Sequence, residues 1–347
     1  MDYFIGIDVS LETSAVCVMN QSGAILNETK VLSEPDALIS FVHGLGHDVS
    51  CIGMEAGPLS QWLYRHLTEA GLPTVLMETR QVKGALKAMP IKTDRRDALG
   101  IAQLLRMGWF RPVHCKSVSS QEIRALLAAR KALQEGAIAI ELSMRGLLRG
   151  FGLKIGLVSK GLLEARAREL AEGNGTLKAL VTSMLRGRAA LRVELVRIDK
   201  RLRDIARTDD TCRLMMSVPG VGPLVALTVK SGIDDPGRFR SSKMVGAHFG
   251  LTPRRDQSGE RDVVGGISRA GDTGVRTALY QAATSMLYRS AKNSWLRAWG
   301  MRVAQRRGMK RAVVAVARRL GVVLHRMWVD GTQFRFSLAD NSAKGAC

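Results

Sequence analysis

Residues 3–10 read YFIGIDVS, a mostly apolar run that contains one acidic residue, Asp8. Two more runs of similar character follow, SAVCVMN at 14–20 and AILNETKVL at 24–32, and the turn-like QSG separates them. Short apolar and β-branched runs with turn residues between them are typical of consecutive strands. The beginning of the chain therefore predicts three antiparallel β-strands.

Helical and strand-like patterns alternate over the residues that follow. A helical stretch covers about 35–45, SCIGME at 50–55 reads as a strand, and a helix is expected from about Pro58 to Ala70. PTVLME at 73–78 is the next strand, and a helix follows from about Thr93 to Met107. The order βββαβαβα predicts an α/β fold with a mixed sheet flanked by helices. In open sheets of this kind, functional sites lie at the strand ends.

The charge of the chain is unevenly distributed. Its 52 Lys and Arg against 31 Asp and Glu give a formal net charge of +21. Residues 1–116 hold 11 basic and 12 acidic side chains, so the remainder carries +22. After Asp272, no acidic residue occurs before Asp330, although twelve Lys and Arg lie between them. Such an excess predicts a polyanionic partner such as nucleic acid.

Other composition features exclude several classes of protein. No run of eighteen apolar residues is present, and the first residues lack the pattern of a signal peptide, so no membrane association and a cytoplasmic location are expected. The five cysteines are scattered, without a C-x-x-C pair, and are predicted to be reduced and structural. They are Cys17, Cys51, Cys115, Cys212 and Cys347.

The basic remainder is predicted to be mainly helical. Residues 1–117 form the α/β domain, 118–208 a helical coiled-coil region, 209–335 a mainly α C-terminal domain, and 336–347 a tail. Between 177 and 205, apolar residues recur with alternating spacings of four and three, interrupted by Arg188, as in an antiparallel helix pair or a dimerising coiled coil. They are Leu177, Val181, Met184, Leu191, Leu195, Ile198, Leu202 and Ile205.

Two segments of the C-terminal domain have turn or loop character. LMMSVPGVGPLVALTV at 214–229 predicts two helices joined by a tight turn. That turn is either a helix-hairpin-helix whose amides hold a nucleic-acid phosphate or an ordinary interhelical turn. The segment 250–276 is rich in Gly, Arg and Ser and is predicted to be a loop close to a ligand backbone.

The segment KTDRRDA at 92–98 places Asp94 and Asp97 three residues apart, on one helix face. The spacing suits a helix cap, and it also suits a metal site. Asp8, in the first strand, and Glu55, at the end of the strand SCIGME, can converge with them at one sheet edge. Four crowded carboxylates favour Mg²⁺ or Mn²⁺, which prefer oxygen ligands and support phosphodiester cleavage as a two-ion centre.

Several motifs together resemble one family. GID, MEA and TDxxDA on a βββαβαβα frame, followed by SVPGVG, FGLTPRR, QSGE and SRAGD, resemble transposases of the insertion-sequence-110 family. The resemblance implies an RNase H-like N-terminal domain of RuvC type, in which Asp8, Glu55, Asp94 and Asp97 are the DEDD metal-binding set. It also implies a recombinase that excises and inserts its own element, guided by a bridge RNA that pairs with donor and target DNA.

The same resemblance implies a serine nucleophile in the C-terminal domain. Ser258 in QSGE matches the family position best, Ser268 is the second choice, and Ser241 and Ser242 are also available. Attack by serine would leave a covalent phosphoserine link to DNA and preserve the bond energy for rejoining. Arginines near these motifs are expected to contact phosphates. They are Arg95, Arg96, Arg254, Arg255, Arg261, Arg269 and Arg276.

Recombination requires paired cuts, so a homodimer that assembles into a tetramer is expected. Three other functions are compatible with parts of the sequence. An actin-like ATPase or sugar kinase also begins with GIDVS, but it does not account for the basic remainder. A RuvC-like, Mg²⁺-dependent nuclease would use the acids without the serine. A non-catalytic nucleic-acid-binding protein would use only the hairpin and the basic helices.

Overall fold

The computed structural model of the protein describes residues 3–87, 91–159, 161–290 and 292–337. The chain divides into two compact units, Met1–Lys116 and Ser117–Cys347. Most of the predicted tail, including Cys347, lies outside the described residues. The finer division of the second unit at 208/209 stays a prediction.

The first unit contains a five-stranded mixed sheet. Its strands are β1 (Tyr3–Asp8), β2 (Thr13–Asn20), β3 (Ile25–Leu32), β4 (Val49–Glu55) and β5 (Thr74–Met77). Their order in the sheet is β3-β2-β1-β4-β5. β2 is antiparallel to β1 and to β3, whereas β4 is parallel to β1 and to β5. The prediction of three antiparallel strands in a mixed α/β sheet is confirmed.

Helices cover both faces of this sheet. They are α1 (Pro35–Gly44), α2 (Ser60–Glu69), α3 (Thr79–Leu86) and α4 (Asp94–Arg106). Because side chains alternate along a strand, Ile5 and Ile7 pack with the helices α1 and α2 on one face. Phe4 lies on the other face, in the cluster that α3 and α4 complete. α3 was not predicted, because it has eight residues and only Val82 among them is buried.

Two glycines let α4 lie directly on the sheet. A β-carbon on Gly6 of β1 would lie 2.2 Å from the carbonyl oxygen of Ala98 in α4. A β-carbon on Gly53 of β4 would lie 2.7 Å from Leu105. The neighbours of Gly6 are backbone atoms, so only glycine allows this separation of β1 and α4, whereas the neighbour of Gly53 is a side chain that can shift. The glycine of GID thus fixes where α4 lies.

The second unit begins with a long helical pair. Its first three helices are α5 (Val118–Gly150), α6 (Leu163–Ala171) and α7 (Gly175–Thr208). α5 and α7 run antiparallel, since Arg130 pairs with Asp199 near one end and Arg188 with Glu141 nearer the other. Arg188 interrupts the apolar seam, as predicted. It is buried, and its guanidinium Nε donates to Glu141 at 2.5 Å.

The remaining helices of the second unit pack around one apolar core, from which two exposed strands project. The elements of this part are α8 (Asp210–Met216), α9 (Pro223–Ile233), a short 3-10 helix (Pro236–Arg238), α10 (Met244–His248), β6 (Pro253–Ser258), β7 (Arg261–Ile267), α11 (Thr273–Tyr288), α12 (Trp295–Arg307) and α13 (Met309–Asp330). α8 and α9 are the two helices predicted around VPGVG. β6 and β7 form an antiparallel hairpin in the segment that was predicted to be a loop.

Among the described residues, no helix combines the length and apolar character that crossing a bilayer requires. The four cysteines in the described part of the chain are free thiols, and burial raises the pKa values of Cys17 and Cys51.

Candidate active site

Four carboxylates meet at one edge of the first unit's sheet. Asp8 ends β1 and Glu55 ends the neighbouring parallel strand β4. Because side chains repeat every second residue along a strand, Asp8 shares a face with Gly6 and Glu55 shares a face with Gly53. Both glycines face α4, whose first turn carries Asp94 and Asp97. The close approach of α4 to β1 therefore brings the acids of three elements together.

The neighbouring charges affect the ionisation of Asp8. Burial, followed by the negative charges of Asp97, Asp94 and Glu55, raises the pKa of Asp8 from 3.8 to about 6. The positive charge of Lys92 acts in the opposite direction. Mutual repulsion of this kind is typical of carboxylates that share one site. A bound cation would relieve it.

The cap of α4 is Thr93. Its hydroxyl oxygen accepts a hydrogen bond from the backbone N–H of Arg96 at 3.3 Å. The interpretation of Asp94 and Asp97 as a capping pair is therefore wrong, because Thr93 caps the helix. The two carboxylates occupy the first turn, where negative charge is favourable, and are available for other contacts.

Two lysines contact these carboxylates. Lys83 of α3 places its Nζ 3.5 Å from Glu55 Oε1, and Lys30 of β3 places its Nζ 3.9 Å from Asp94 Oδ2. Among the described residues, no three His, Cys, Asp or Glu side chains already stand in an arrangement that would hold a metal ion. Neither lysine is predictable as a neighbour of these acids, since Lys83 lies on the unpredicted helix and Lys30 on an edge strand.

The two arginines of KTDRRDA lie in different environments. The guanidinium of Arg95 donates two hydrogen bonds to Glu28 of β3 and forms an ion pair with it. Arg96 is half-buried in the first turn of α4. Arg95 thus ties the start of α4 to the sheet, a contact that was not predicted. A role for both in phosphate binding stays a prediction.

Ser258 stands at the exposed end of the β6–β7 hairpin. It pairs with Arg261 across a two-residue turn, in which Gly259 has a φ of +55°. Every residue from Pro253 to Gly266 is exposed. Within the hairpin, Arg255 forms a two-pronged ion pair with Asp262, at 2.8 and 2.5 Å. In the described part of the chain, the hairpin arginines Arg254 and Arg261 have no ion pair.

The base of the hairpin is tightly packed. Ser268 donates its backbone N–H to Thr252 at 2.8 Å. β-carbons on Gly250 and Gly271 would overlap neighbouring backbone, at 2.3 Å from Ala270 and 2.1 Å from His248. Arg269 has a φ of +56°, and its N–H donates to Gly250. The motifs FGLTPRR and SRAGD therefore build the base on which the hairpin stands.

Arg276 joins that base to α11. Its guanidinium donates to the carbonyl oxygens of Phe249 at 3.1 Å and Ala270 at 2.8 Å. A third hydrogen bond, of 2.9 Å, goes to the hydroxyl of Thr273. Arg276 therefore binds the carbonyl oxygens at the base of the hairpin. Its contact with nucleic acid stays a prediction.

The other three candidate serines differ in accessibility and partners. Ser241 is exposed, and Ser268 is half-buried, with its hydroxyl oxygen accepting from the N–H of Ala270 at 3.4 Å. Ser242 lies 2.9 Å from Nδ1 of the buried His325, whose Nε2 contacts the carbonyl oxygen of Pro236 at 3.0 Å. Because a carbonyl can only accept, Nε2 carries a proton and donates it to Pro236. The contact between Ser242 and His325 links the residues just before α10 to α13.

Comparison with known proteins accounts for both units. A family model described as "Transposase IS116/IS110/IS902 family" matches residues 212–299, and a DEDD transposase model of the IS110 type, described as "Transposase", matches residues 5–152. The transposase for insertion sequence element IS1111A of Coxiella burnetii is 32% identical over 90% of this chain and 86% of its own length. The chain belongs to the IS110 family of transposases. As a member of that family, the protein is a DNA transposase.

Further relatives include the transposase for insertion sequence element IS1328 of Yersinia enterocolitica, 24% identical over 69% of this chain and 71% of its own. RuvC from Thermus thermophilus, in complex with a Holliday junction substrate, aligns with 33% of this chain and all of its own at 18% identity, with a TM-score of 0.27. The RNase H-like α/β fold predicted for the N-terminal part of this IS110-family transposase is confirmed by its own strand order and its mixed sheet.

Proposed function

We propose that this transposase cuts and rejoins DNA by means of a divalent metal centre and a serine nucleophile. Asp8, Glu55, Asp94 and Asp97 are its ligands for Mg²⁺ or Mn²⁺, and Ser258 forms a covalent link to DNA. The metal assignment is supported by the positions of Asp8 and Glu55 at the ends of neighbouring parallel strands and of Asp94 and Asp97 in the first turn of α4, which packs against β1.

The donor set fits a hard divalent cation. All four groups offer carboxylate oxygens, which Mg²⁺ and Mn²⁺ prefer. Asp8 and Glu55 are half-buried at the ends of two rigid strands, and Asp94 and Asp97 stand on the first turn of a helix. When bound, such ions help to activate an attacking oxygen and to stabilise the charge on a leaving oxygen. In this proposal, the chain's own contribution is to supply the four carboxylates from two strand ends and one helix start, and their side chains close around the ion when it binds.

Ser258 supplies the attacking oxygen in this proposal. Its Oγ forms a bond to the phosphorus of a DNA phosphodiester, the bond from that phosphorus to one deoxyribose oxygen breaks, and the leaving oxygen takes up a proton. The proton of the Ser258 hydroxyl passes to a base at the site. The resulting phosphoserine ester is attacked by the hydroxyl of another DNA end, which restores a phosphodiester and frees the serine without an external energy source.

The position of Ser258 supports this role. It is exposed at the end of a hairpin whose neighbouring arginines, Arg254 and Arg261, are also exposed. Guanidinium groups can stabilise the charge that develops on a phosphate under attack. A buried serine such as one held inside the core would not reach a duplex.

Donor and target DNA are the proposed substrates, with a bridge RNA as guide. Ten of the twelve Lys and Arg between Asp272 and Asp330 are exposed. They are Arg289, Lys292, Arg302, Arg306, Arg307, Lys310, Arg311, Arg318, Arg319 and Arg326. Of these ten, Arg326 pairs with Asp330. A surface with so many cations and so few acidic residues suits phosphate backbones. The helices α8 and α9 are proposed to act as a helix-hairpin-helix, and homodimers are proposed to pair into a tetramer.

The serine and the carboxylates can be tested separately. Incubation of the purified protein, its flanking noncoding RNA and DNA carrying the element's junctions should yield a protein–DNA adduct on denaturing gels. Ser258→Ala should abolish the adduct, whereas Ser241→Ala, which removes another exposed hydroxyl, should retain it. Persistence of the adduct in Ser258→Ala would move the nucleophile to Ser268 or Ser242, which the same gel tests.

The metal centre requires a different variant. Asp97→Asn should abolish Mg²⁺-dependent cleavage and leave DNA binding intact, because the substitution keeps the size of the side chain and removes one charge. Cleavage without any covalent adduct would indicate the nuclease mechanism, in which water attacks. Omitting the noncoding RNA should abolish sequence-specific cleavage, and equal activity without it would rule out the guide.

A further inference from the structure

Three lysines surround the four carboxylates, and each comes from a different part of the first unit. Lys83 of α3 faces Glu55, Lys30 of β3 faces Asp94, and Lys92 lies near enough to Asp8 to lower its pKa. Residues 1–116 contain only five lysines in all: Lys30, Lys83, Lys87, Lys92 and Lys116. Most of the lysines in this nearly neutral unit therefore stand around one acidic site.

These contacts are poorly suited to stabilising the fold. The side chains of Lys83 and Lys30 are 68% and 64% exposed. Their nitrogen–oxygen distances of 3.5 and 3.9 Å exceed those of good charge-assisted hydrogen bonds. Exposed pairs of this kind contribute little to stability. By contrast, Arg95 makes two hydrogen bonds to a Glu28 side chain that is only 13% exposed. The lysines are thus available for another partner.

We propose that Lys83 and Lys30 bind the backbone phosphates of the DNA strand that is cut, and that they leave Glu55 and Asp94 when a metal ion binds there. This inference rests on the proposed function of the four carboxylates. The positive charge of Lys92 also acts on Asp8.

The chemistry of the two cations carries the inference. An ammonium group and a divalent ion compete for the same carboxylate oxygens and repel each other. A lysine displaced from Glu55 keeps its charge, and its flexible four-carbon stem lets the ammonium move to the nearest anion. At a site that cuts phosphodiesters, that anion is a phosphate oxygen beside the bond to be broken.

The exchange makes metal and DNA binding cooperative. DNA phosphates that draw Lys83 away free Glu55 for the metal ion, and a metal ion that draws Glu55 away frees Lys83 for phosphate. Because linkage is reciprocal, each ligand raises the affinity for the other by the same factor. A lysine with a merely structural role would produce no such coupling.

The test compares three variants in the full-length protein. Lys83→Met removes the charge and retains the stem, Lys83→Arg retains the charge, and Lys87→Met removes the same charge one helical turn further along. Lys87 is exposed, and within the described residues it has no ion pair, which makes it a matched control. Calorimetry measures Mn²⁺ affinity, and fluorescence anisotropy measures binding of a mixed-sequence 30-base-pair DNA duplex at several salt concentrations. The Ser258→Ala background keeps the probe intact.

Lys83→Met should tighten Mn²⁺ binding without DNA by about fivefold, because a competing cation is gone. It should also lower the salt slope of DNA binding in Mn²⁺ by about one, as expected for the loss of one phosphate contact. Lys83→Arg and Lys87→Met should stay close to the parent protein in both measurements. These opposite effects on metal and DNA would not follow from local misfolding, which weakens both.

Unchanged Mn²⁺ affinity together with an unchanged salt slope in Lys83→Met would overturn the inference, as would a loss of both affinities. The metal centre itself has a separate control. If Asp97→Asn binds Mn²⁺ as tightly as the parent protein, the proposed function of the carboxylates fails, and the inference fails with it. If Asp97→Asn weakens Mn²⁺ binding but Lys83→Met has no effect, only the role of the lysines is wrong.

Discussion

The backbone of Gly6 lies directly against that of Ala98. A β-carbon on Gly6 would be 2.2 Å from the carbonyl oxygen of Ala98 and 2.5 Å from the amide nitrogen of Ala102. Ala98 immediately follows Asp97, and Asp8 follows Gly6 by two residues on the same face of β1. The contact between Gly6 and Ala98 therefore sets the separation of two carboxylates on which the proposed chemistry depends.

Gly6→Ala should damage both the fold and the metal site. The added methyl group forces α4 away from β1, and overpacking of this kind costs about 1–3 kcal/mol in free energy of unfolding. Because α4 carries Asp94 and Asp97, Mn²⁺ affinity should fall by at least about tenfold. Urea denaturation and Mn²⁺ calorimetry measure the two effects. In the control Gly44→Ala, a β-carbon has nothing within 4 Å, and both properties should be retained. Normal Mn²⁺ binding by Gly6→Ala would show that α4 need not touch β1.

Asp8→Asn should stabilise the fold at neutral pH in the presence of a chelator. The pKa of Asp8 is about 6 in the folded chain, against an ordinary value of 3.8. The folded state thus holds a proton that the unfolded state has released between these values, so stability falls as the pH rises through this range. Asparagine has no charge in this range, so Asp8→Asn does not lose stability as the pH rises. The gain at pH 7 should be on the order of 1 kcal/mol, after allowance for solvent screening of a half-exposed group.

The stability gain of Asp8→Asn should disappear at acidic pH. At about pH 4 the carboxyl of Asp8 is protonated in the folded state, so the two proteins should have nearly equal free energies of unfolding. Denaturation curves at pH 4 and pH 7 compare them. An equal difference at both pH values would mean that the charge of Asp8 is not the cause.

Substitution at Gly259 should separate the shape of the hairpin turn from the chemistry of Ser258. Gly259 has a φ of +55°, in the left-handed region. Asparagine tolerates this conformation, whereas a β-branched residue does not. Gly259→Val should therefore slow formation of the protein–DNA adduct by about tenfold or more, since misplacement of a nucleophile is costly. Gly259→Asn should remain near the parent rate. Equal rates for both variants would show that the turn does not position the serine.

Replacing one member of the Arg188–Glu141 ion pair should change the free energy of unfolding more than replacing both. Arg188→Leu leaves Glu141 without its partner at 2.5 Å, and loss of one member of a buried pair costs about 3 kcal/mol. The double variant Arg188→Leu with Glu141→Leu should recover most of that loss, because an apolar pair suits the seam between α5 and α7. Thermal unfolding of the single and double variants tests this. A double variant less stable than Arg188→Leu would show that the charges stabilise the helix pair.

The positions of Asp8 and Glu55 at the ends of neighbouring strands follow from strand periodicity and element order, whereas their role as metal ligands stays a prediction. Asp8 and Glu55 each follow a glycine by two residues, and that pattern is visible in GID and in GME. Two acids at a spacing of three resemble a capping pair, so the pattern of Asp94 and Asp97 favours a cap at Asp94 although Thr93 precedes it. The hydroxyl of Thr93 decided the helix start instead.

Lys83 could not be predicted as a neighbour of Glu55. The helix α3 has a single fully buried residue, Val82, so its apolar periodicity is too weak to read. The hairpin that presents Ser258 was obscured by its composition, since five glycines between 250 and 271 indicate loops. Some of these glycines allow close packing and another allows a turn, and the sequence does not show which is which. Gly250 and Gly271 pack the base, while Gly259 turns the tip.

The hairpin also has an adjustable reach. Its strands are exposed along both faces, so few packing constraints act on their length. One additional residue in each strand would extend the tip by roughly 3.4 Å and turn Ser258 to the opposite face, whereas two would extend it by roughly 7 Å and restore its direction. Relatives that differ by pairs of residues in β6 and β7 could thus present the same serine to DNA held at different depths.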